Sequence, residues 1–401
     1  MLKDKLKNFI VFLLSIIILY LIYPKVLYKY FVYPMPFSEI SPQSYFADWT
    51  VITSAIKCNL QGYDVFLNNP CDFWNRNHVY GSFFLLFPFN QGLINLYNIY
   101  IPIIFNILFL LIINFHFDFN KKKQIIYYLL FVFSPSTLLA IERFNNDILI
   151  FLILVLICYL KSNFLKLILL ISLSVTKFYP MIASIVLLFK GINKKNIIYF
   201  FSFFLIVFSI FFMDLENIIK IFQNKKQFTA SYKLSFGLSH FPSLPIFNQK
   251  FSIEQLYILS TFIFSVSFLL SYVISKIDKV YDYFTFSKNS DRLYFIGSSI
   301  CISTYLIFSN YIYREIFIFF ALPFLFNTNN KSNFSKIMLF LILLKYLIYP
   351  LTYHLSFFYN NDSLNIVKSL LDNLIVSFML GSLINILLYK SKLLKTNEIK
   401  N

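Results

Sequence analysis

The chain is short of acid and of charge in general. Only 18 of its 401 residues are Asp or Glu, and charged residues make up 13%, about half the share of an average soluble domain. Hydrophobic residues reach 58% and fall in long unbroken runs, which a water-soluble fold has no means of hiding. Glycine is scarce, with seven in the whole chain, and no Gly-rich phosphate loop of Rossmann or Walker type occurs. That argues against chemistry powered directly by a bound nucleotide. The four cysteines and four histidines stand at no metal-ligating spacing, so neither a metal site nor a cofactor is expected. Cys158 and Cys301 lie inside apolar segments, where a thiol is inert, whereas Cys58 and Cys71 share a polar loop. A disulfide between those two requires an oxidising compartment. The excess of Phe, Ile, Asn and Lys fits an AT-rich genome as well as any physical demand and carries no functional reading.

What is present is apolar sequence punctuated by lysine. The net charge is +17, but the Lys residues sit in short clusters between apolar runs instead of forming one basic face, which excludes a nucleic-acid partner and matches membrane topology signals. Lys3, Lys5 and Lys7 precede the first apolar stretch with no small-residue cleavage site after it, so a retained first helix is expected. Candidate spans are 9–32, 95–116, 125–140, 147–160, 164–176, 178–190, 196–213, 255–275, 293–309, 316–327, 337–351 and 366–389. The expected fold is an all-α polytopic bundle of about 10–13 transmembrane helices, a single membrane domain over 1–401. Several spans are short for a full crossing, which is tolerated in buried, broken or re-entrant helices. Basic residues crowd alternate connections, at Lys121 to Lys123, Lys161 and Lys166, Lys190 to Lys195, Lys276 to Arg292, Lys331 and Lys336, and Lys390 to Lys400. The positive-inside rule then makes both termini cytoplasmic and leaves two long polar loops, 33–92 and 214–254, on the other side.

The first outer loop is the most informative stretch. Trp49, Ile52, Ile56 and Leu60 recur at three- and four-residue intervals, which predicts a short amphipathic helix at the membrane surface with Asp48 at its N-terminal end. The helix dipole favours an ionised carboxylate there, the state a general base needs. The plain alternative is that Asp48 caps the helix. Three outer turns carry isolated cations beside polar groups: Glu142-Arg143-Phe144-Asn145-Asn146-Asp147, Lys177-Phe178-Tyr179-Pro180, and Asn310-Tyr311-Ile312-Tyr313-Arg314-Glu315. Each alone could be a snorkelling charge, and Glu142 or Asp147 could simply pair with Arg143. Together they offer the cationic donors that a membrane-held phosphate needs. His78 and His354 are lone histidines. Trp49, Trp74 and Tyr80 suit an interface belt as well as sugar stacking. Lys345 and Asp372 read either as a pair or as interfacial groups.

These motifs resemble the polytopic glycosyltransferases of the GT-C fold, and within them family 87, the polyprenol-phosphate-mannose-dependent mannosyltransferases and their relatives. The resemblance runs from the first loop to the Arg314 turn. It rests on Asp48, on Gly62-Tyr63-Asp64 and Asn69-Pro70-Cys71-Asp72 leading to Tyr80-Gly81, on Ser134-Pro135 followed by Glu142-Arg143-x-Asn145-x-Asp147, on Lys177-Phe178-Tyr179-Pro180 and on Asn310-Tyr311-x-Tyr313-Arg314. Phe144 departs from the pattern, standing where relatives are expected to carry Gly. The resemblance implies an inverting transfer of a hexose from a polyprenyl-phosphate donor to a lipid-linked or cell-envelope glycan acceptor, with Asp48 as base. By chemical suitability Arg143, Lys177 and Arg314 would hold the departing phosphate. Asp64, Asp72, Glu142, Asn145 and Tyr311 complete the expected substrate contacts, with Asp64 and Asp72 the next candidates for the base. A flippase or transporter would also need many helices, but such folds usually show repeats and charges at the membrane midplane. A polymerase or ligase of lipid-linked saccharides would share the leaving group.

Overall fold

The computed structural model describes residues 2–19, 46–87, 93–188, 194–227, 235–238, 252–307, 310–358 and 363–398. The protein is all-α in architecture. Among the described residues the only sheet is a two-residue antiparallel pair, β1 (Ser235–Phe236) and β2 (Asn310–Tyr311), with Ser235 opposite Tyr311. The chain divides into two compact units, Met1–Thr229 and Ala230–Asn401.

The first unit opens with α1 (Leu2–Ile17) and, after the first loop, α2 (Ala47–Leu60). It continues with α3 (Ile94–Phe115), α4 (Lys122–Val132), α5 (Pro135–Arg143), α6 (Asp147–Tyr159), α7 (Asn163–Thr176), α8 (Lys194–Met213) and α9 (Leu215–Gln227). Helices α4 and α5 are together long and apolar enough for a broken span or a re-entrant loop, and meet at a bend of 49°. The cause is local: Ser134 caps α5 by accepting from the Thr137 amide, and Pro135 occupies its first turn, so α4 cannot run on unbroken. The second unit contains α10 (Ile253–Ile277), α11 (Val280–Tyr283), α12 (Asn289–Ile307), α13 (Leu322–Thr328), α14 (Asn333–Phe358) and α15 (Ser363–Glu398). Helix α15 is its centre and crosses α10 closely at Gly381, where a Cβ would come within 2.6 Å of Ser271 Oγ. Small residues allow that approach, and Ser271 adds a hydroxyl bond to the Phe378 carbonyl at 2.9 Å.

Five described helices are long and apolar enough to cross a membrane, over Leu96–Phe115, Lys194–Met213, Glu254–Ile277, Asn333–Leu351 and Leu364–Lys390, or six if the bent α4–α5 pair is counted as one span. Only 17% of the Lys194–Met213 stretch is buried within the protein, as suits an apolar helix in contact with lipid. Shorter apolar helices lie at Lys7–Ile17, Asp147–Tyr159, Asn163–Thr176 and Tyr179–Leu188. Most of the expected first span, 20–32, lies outside the described residues. Two segments read as spans contain ten-residue 3-10 helices: 178–190 folds mostly as Tyr179–Leu188, and 316–327 is the second half of Ile312–Ala321 followed by α13. At about 2.0 Å per residue each covers roughly 20 Å, against about 15 Å for an α-helix of the same length.

Candidate functional site

Helix α2 positions the first functional side chain. It is entered through Phe46, held in the left-handed region at φ 58°, whose carbonyl accepts from the Trp49 and Thr50 amides. The expected apolar stripe is present and buried at Trp49, Ile52 and Ile56, but Ala47, Val51, Thr53, Ala55 and Cys58 are buried as well. The helix is therefore packed into the unit on most of its circumference, not laid on it by one face, and Leu60 is exposed. Trp49 Nε1 donates to the Tyr97 carbonyl and Thr53 Oγ1 to Asn98 Oδ1, which fastens α2 to α3.

The loop after α2 is closed by a disulfide between Cys58 and Cys71, with Cα atoms 5.7 Å apart. Asp72 organises the return: it accepts from the Trp74 and Arg76 amides and pairs with the Arg76 guanidinium at 2.9 Å. Arg76 in turn donates to the Ala47 carbonyl at 2.8 Å, next to Asp48. Asp64 accepts from the Phe66 amide and pairs with Lys220 at 2.9 Å. Asp72 is thus committed to the loop's own architecture, and Asp64 ties the loop to α9. Arg76 belongs to none of the sequence motifs; its one sequence signal is an Asp four residues before it.

Asp48 and the α5–α6 turn meet. The Phe46 amide donates to the Glu142 carbonyl, bringing the start of α2 against the end of α5. Arg143 Nε and Nη2 both donate to Asp48 Oδ1, at 2.9 and 2.5 Å, and Asn145 Nδ2 donates to Oδ2 at 2.5 Å. Asp48 therefore spends its carboxylate on Arg143 and Asn145, with the left-handed Phe46 in the N-cap position. Burial pushes its carboxyl up, but the charge and hydrogen bonds of Arg143, the Asn145 amide and the charge of Arg76 together hold it below the ordinary value of 3.8. Arg143 is paired with Asp48 across 95 residues of sequence.

The network continues through Asn145, whose Oδ1 accepts from the Asp147 amide at 3.0 Å and from Lys177 Nζ at 3.2 Å. Lys177 pairs with Asp147 Oδ1 at 2.5 Å, and Tyr179 donates its hydroxyl to the same oxygen at 2.7 Å. The Lys177 ammonium lies 5.4 Å from the Tyr80 ring centre, a cation–π distance. Tyr80 is placed by Gly81, whose amide donates to the Thr176 carbonyl and whose missing side chain lets the backbones touch; a Cβ there would sit 1.8 Å from the Val175 carbonyl oxygen. Desolvation and the negative charges of Asp48 and Asp147 push the Tyr80 phenol up, so it stays a protonated donor. Asp147, Tyr179 and Tyr80 join the site as residues the motifs contained but whose roles only the fold reveals.

Phe144 adopts the left-handed conformation that favours Gly, at φ 41°. Its fully buried ring packs edge-on against Trp49 at 5.5 Å and Phe46 at 6.4 Å, and this packing opposes the strain of a non-Gly residue there. His78 is fully buried between the rings of Phe66 and Tyr80, and burial pushes its imidazole down to about 4. Among the described residues no group of three or more His, Cys, Asp or Glu could hold a metal ion. Arg314 and Tyr311 belong to the second unit, in the 3-10 helix Ile312–Ala321 and in β2. The side chains of Tyr311 and His354 lie outside the described residues, as does most of the 228–251 stretch of the second polar loop.

Compared with protein-family models, no model matches this chain. No curated protein matches it. No solved structure matches it.

Proposed function

We propose that the protein is a membrane glycosyltransferase that moves a hexose from a polyprenyl-phosphate donor to a lipid-linked or envelope glycan acceptor, with inversion. The observation that carries this reading is Asp48: an ionised carboxylate in the first polar loop, oriented by Arg143 and Asn145 and joined through Asn145 to Lys177. In the proposed step an acceptor hydroxyl attacks the anomeric carbon, the bond from that carbon to the phosphate oxygen breaks, and the hydroxyl proton passes to Asp48. A carboxylate of low basicity serves because the hydroxyl becomes acidic only as the new bond forms. Arg143 and Lys177 meet the negative charge that develops on the departing polyprenyl phosphate. Each already holds a carboxylate, so each also fixes the geometry of the acid beside it.

The proposed setting is the outer face of the cytoplasmic membrane, with both termini inside and the site outside. The Cys58–Cys71 disulfide supports an oxidising environment for the first loop, and the basic connections support the opposite assignment for the alternate ones. The test is transfer by the purified protein in lipid nanodiscs, from a panel of polyprenyl-phosphate hexoses to extracted membrane lipids. Addition of a single hexose is the expected result. Joining of long saccharide chains would make the protein a polymerase or ligase, and failure of every donor would remove the transferase reading.

A further inference from the structure

The second unit buries four charges that the proposed chemistry does not use. Glu315 lies in the first turn of the 3-10 helix Ile312–Ala321, Lys345 on α14, and Lys368 and Asp372 one turn apart on α15. All four side chains are at most 2% exposed. Lys345 Nζ is 2.9 Å from Glu315 Oε2 and is also paired with Asp372. Lys368 Nζ is 3.2 Å from Asp372 Oδ2 and 3.8 Å from Glu315 Oε1. Aromatic rings close the set, Phe236 of β1 at 5.5 Å from Lys345 and Tyr349 at 5.0 Å from Lys368. Lys345 and Asp372, which the sequence left as either a pair or interfacial groups, are a buried pair.

Two cations and two anions leave no net charge, so the set can be buried whole but not in part. Stability alone does not call for it, since apolar residues of similar volume often do as well or better. What a closed set of charges supplies is register, because every charge finds its partners at one relative setting of the elements that carry them. The 3-10 helix needs such a tie. Its hydrogen bonds are poorer than those of an α-helix, and runs beyond three or four residues are uncommon, yet this one has ten. Its entry is held from both ends of a six-residue segment: Asn310 and Tyr311 pair with β1, whose Phe236 ring faces Lys345, and Glu315 enters the charge set. Arg314 lies immediately before Glu315.

We propose that the Glu315–Lys345–Lys368–Asp372 quartet is a clamp that fixes the 310–315 segment, and that Glu315 is thereby the positioning residue for Arg314. The clamp stands on geometry alone; only its consequence for sugar transfer rests on the transferase reading.

The test places a cysteine at Tyr313 (Tyr313→Cys) in a Cys158→Ala, Cys301→Ala background, where the remaining two cysteines are joined, and measures maleimide labelling in nanodiscs. Glu315→Gln is expected to speed labelling about tenfold, by local opening of the segment, with the unfolding temperature of the rest retained. Full inversion of the set (Glu315→Lys, Lys345→Glu, Lys368→Glu, Asp372→Lys) keeps every pairing and is expected to restore slow labelling. Replacing all four by Leu is expected to fold and still label fast, and it decides the matter if Glu315→Gln does not fold. Labelling at the unsubstituted rate in either folded variant would overturn the clamp. In the transfer assay Glu315→Gln should raise the donor KM about tenfold with kcat little changed, as a displaced binding group would. If no donor is used at all, the labelling still stands or falls by itself.

Discussion

At the scale of single residues, the site is a chain of mutually dependent charges. Arg143 is the partner that permits Asp48 to be both buried and ionised, so Arg143→Ala leaves a buried carboxylate short of its counter-charge. Unfolding in detergent should show a loss of about 3 kcal/mol, with Arg143→Lys recovering only part because a point charge cannot reproduce the two-pronged contact. His78 gives a pH signature of its own. Its folded pKa of about 4 lies below the ordinary 6.5, so the unfolded chain takes up a proton that the folded one refuses. The stability it allows is complete above pH 6.5 and falls as the pH drops toward 4, by about 3 kcal/mol in all. His78→Phe should flatten that part of the pH–stability curve, and an unchanged curve would show that the imidazole is not the cause. Asp48 shifts in the same direction from a lower starting value, so its contribution is lost only below pH 3.8.

At the scale of elements, legibility depended on what each signal measures. The three- and four-residue spacing from Trp49 to Ile56 announced α2 and put Asp48 in its first turn, because periodicity reports where a helix is apolar. It did not announce that α2 is packed nearly all round, since that depends on which neighbours arrive to cover Val51, Ala55 and Cys58. The disulfide was likewise open in the sequence, where two cysteines in one loop set no distance; the turn organised by Asp72 and Arg76 is what brings them together. Cys58→Ser is expected to lower stability by about 3 kcal/mol, the usual worth of closing a loop of this length, measured by chemical unfolding with and without reductant. The Asp48 partners were only half visible. Arg143 stood out as an isolated cation, but the sequence placed Glu142 and Asp147 nearest to it, and the fold brings it to Asp48, 95 residues away, with Asn145 on the other oxygen.

At the scale of the whole molecule, composition and the alternation of lysine clusters were enough to read a multi-pass α-helical membrane protein, because both follow directly from burying apolar chain in lipid. The number of crossings was not legible in the same way. Hydropathy finds apolar length, but segments of 10–17 residues, a helix bent at Pro135 and two long 3-10 helices do not convert length to thickness at one rate. Inside and outside can be assigned experimentally from single cysteines placed in the polar connections. Labelling from the outside is expected beside Gly62 and to fail beside Lys122, and the reverse pattern would invert the proposed topology.

The most direct test of the central claim compares the unsubstituted protein with Asp48→Asn in the nanodisc transfer assay, with the unfolding temperature measured alongside. The account predicts that Asn at this position, which still accepts from Arg143 but cannot take the hydroxyl proton, folds and loses at least about 100-fold in transfer. Transfer at an undiminished rate by the folded variant would contradict it and remove Asp48 from the chemistry.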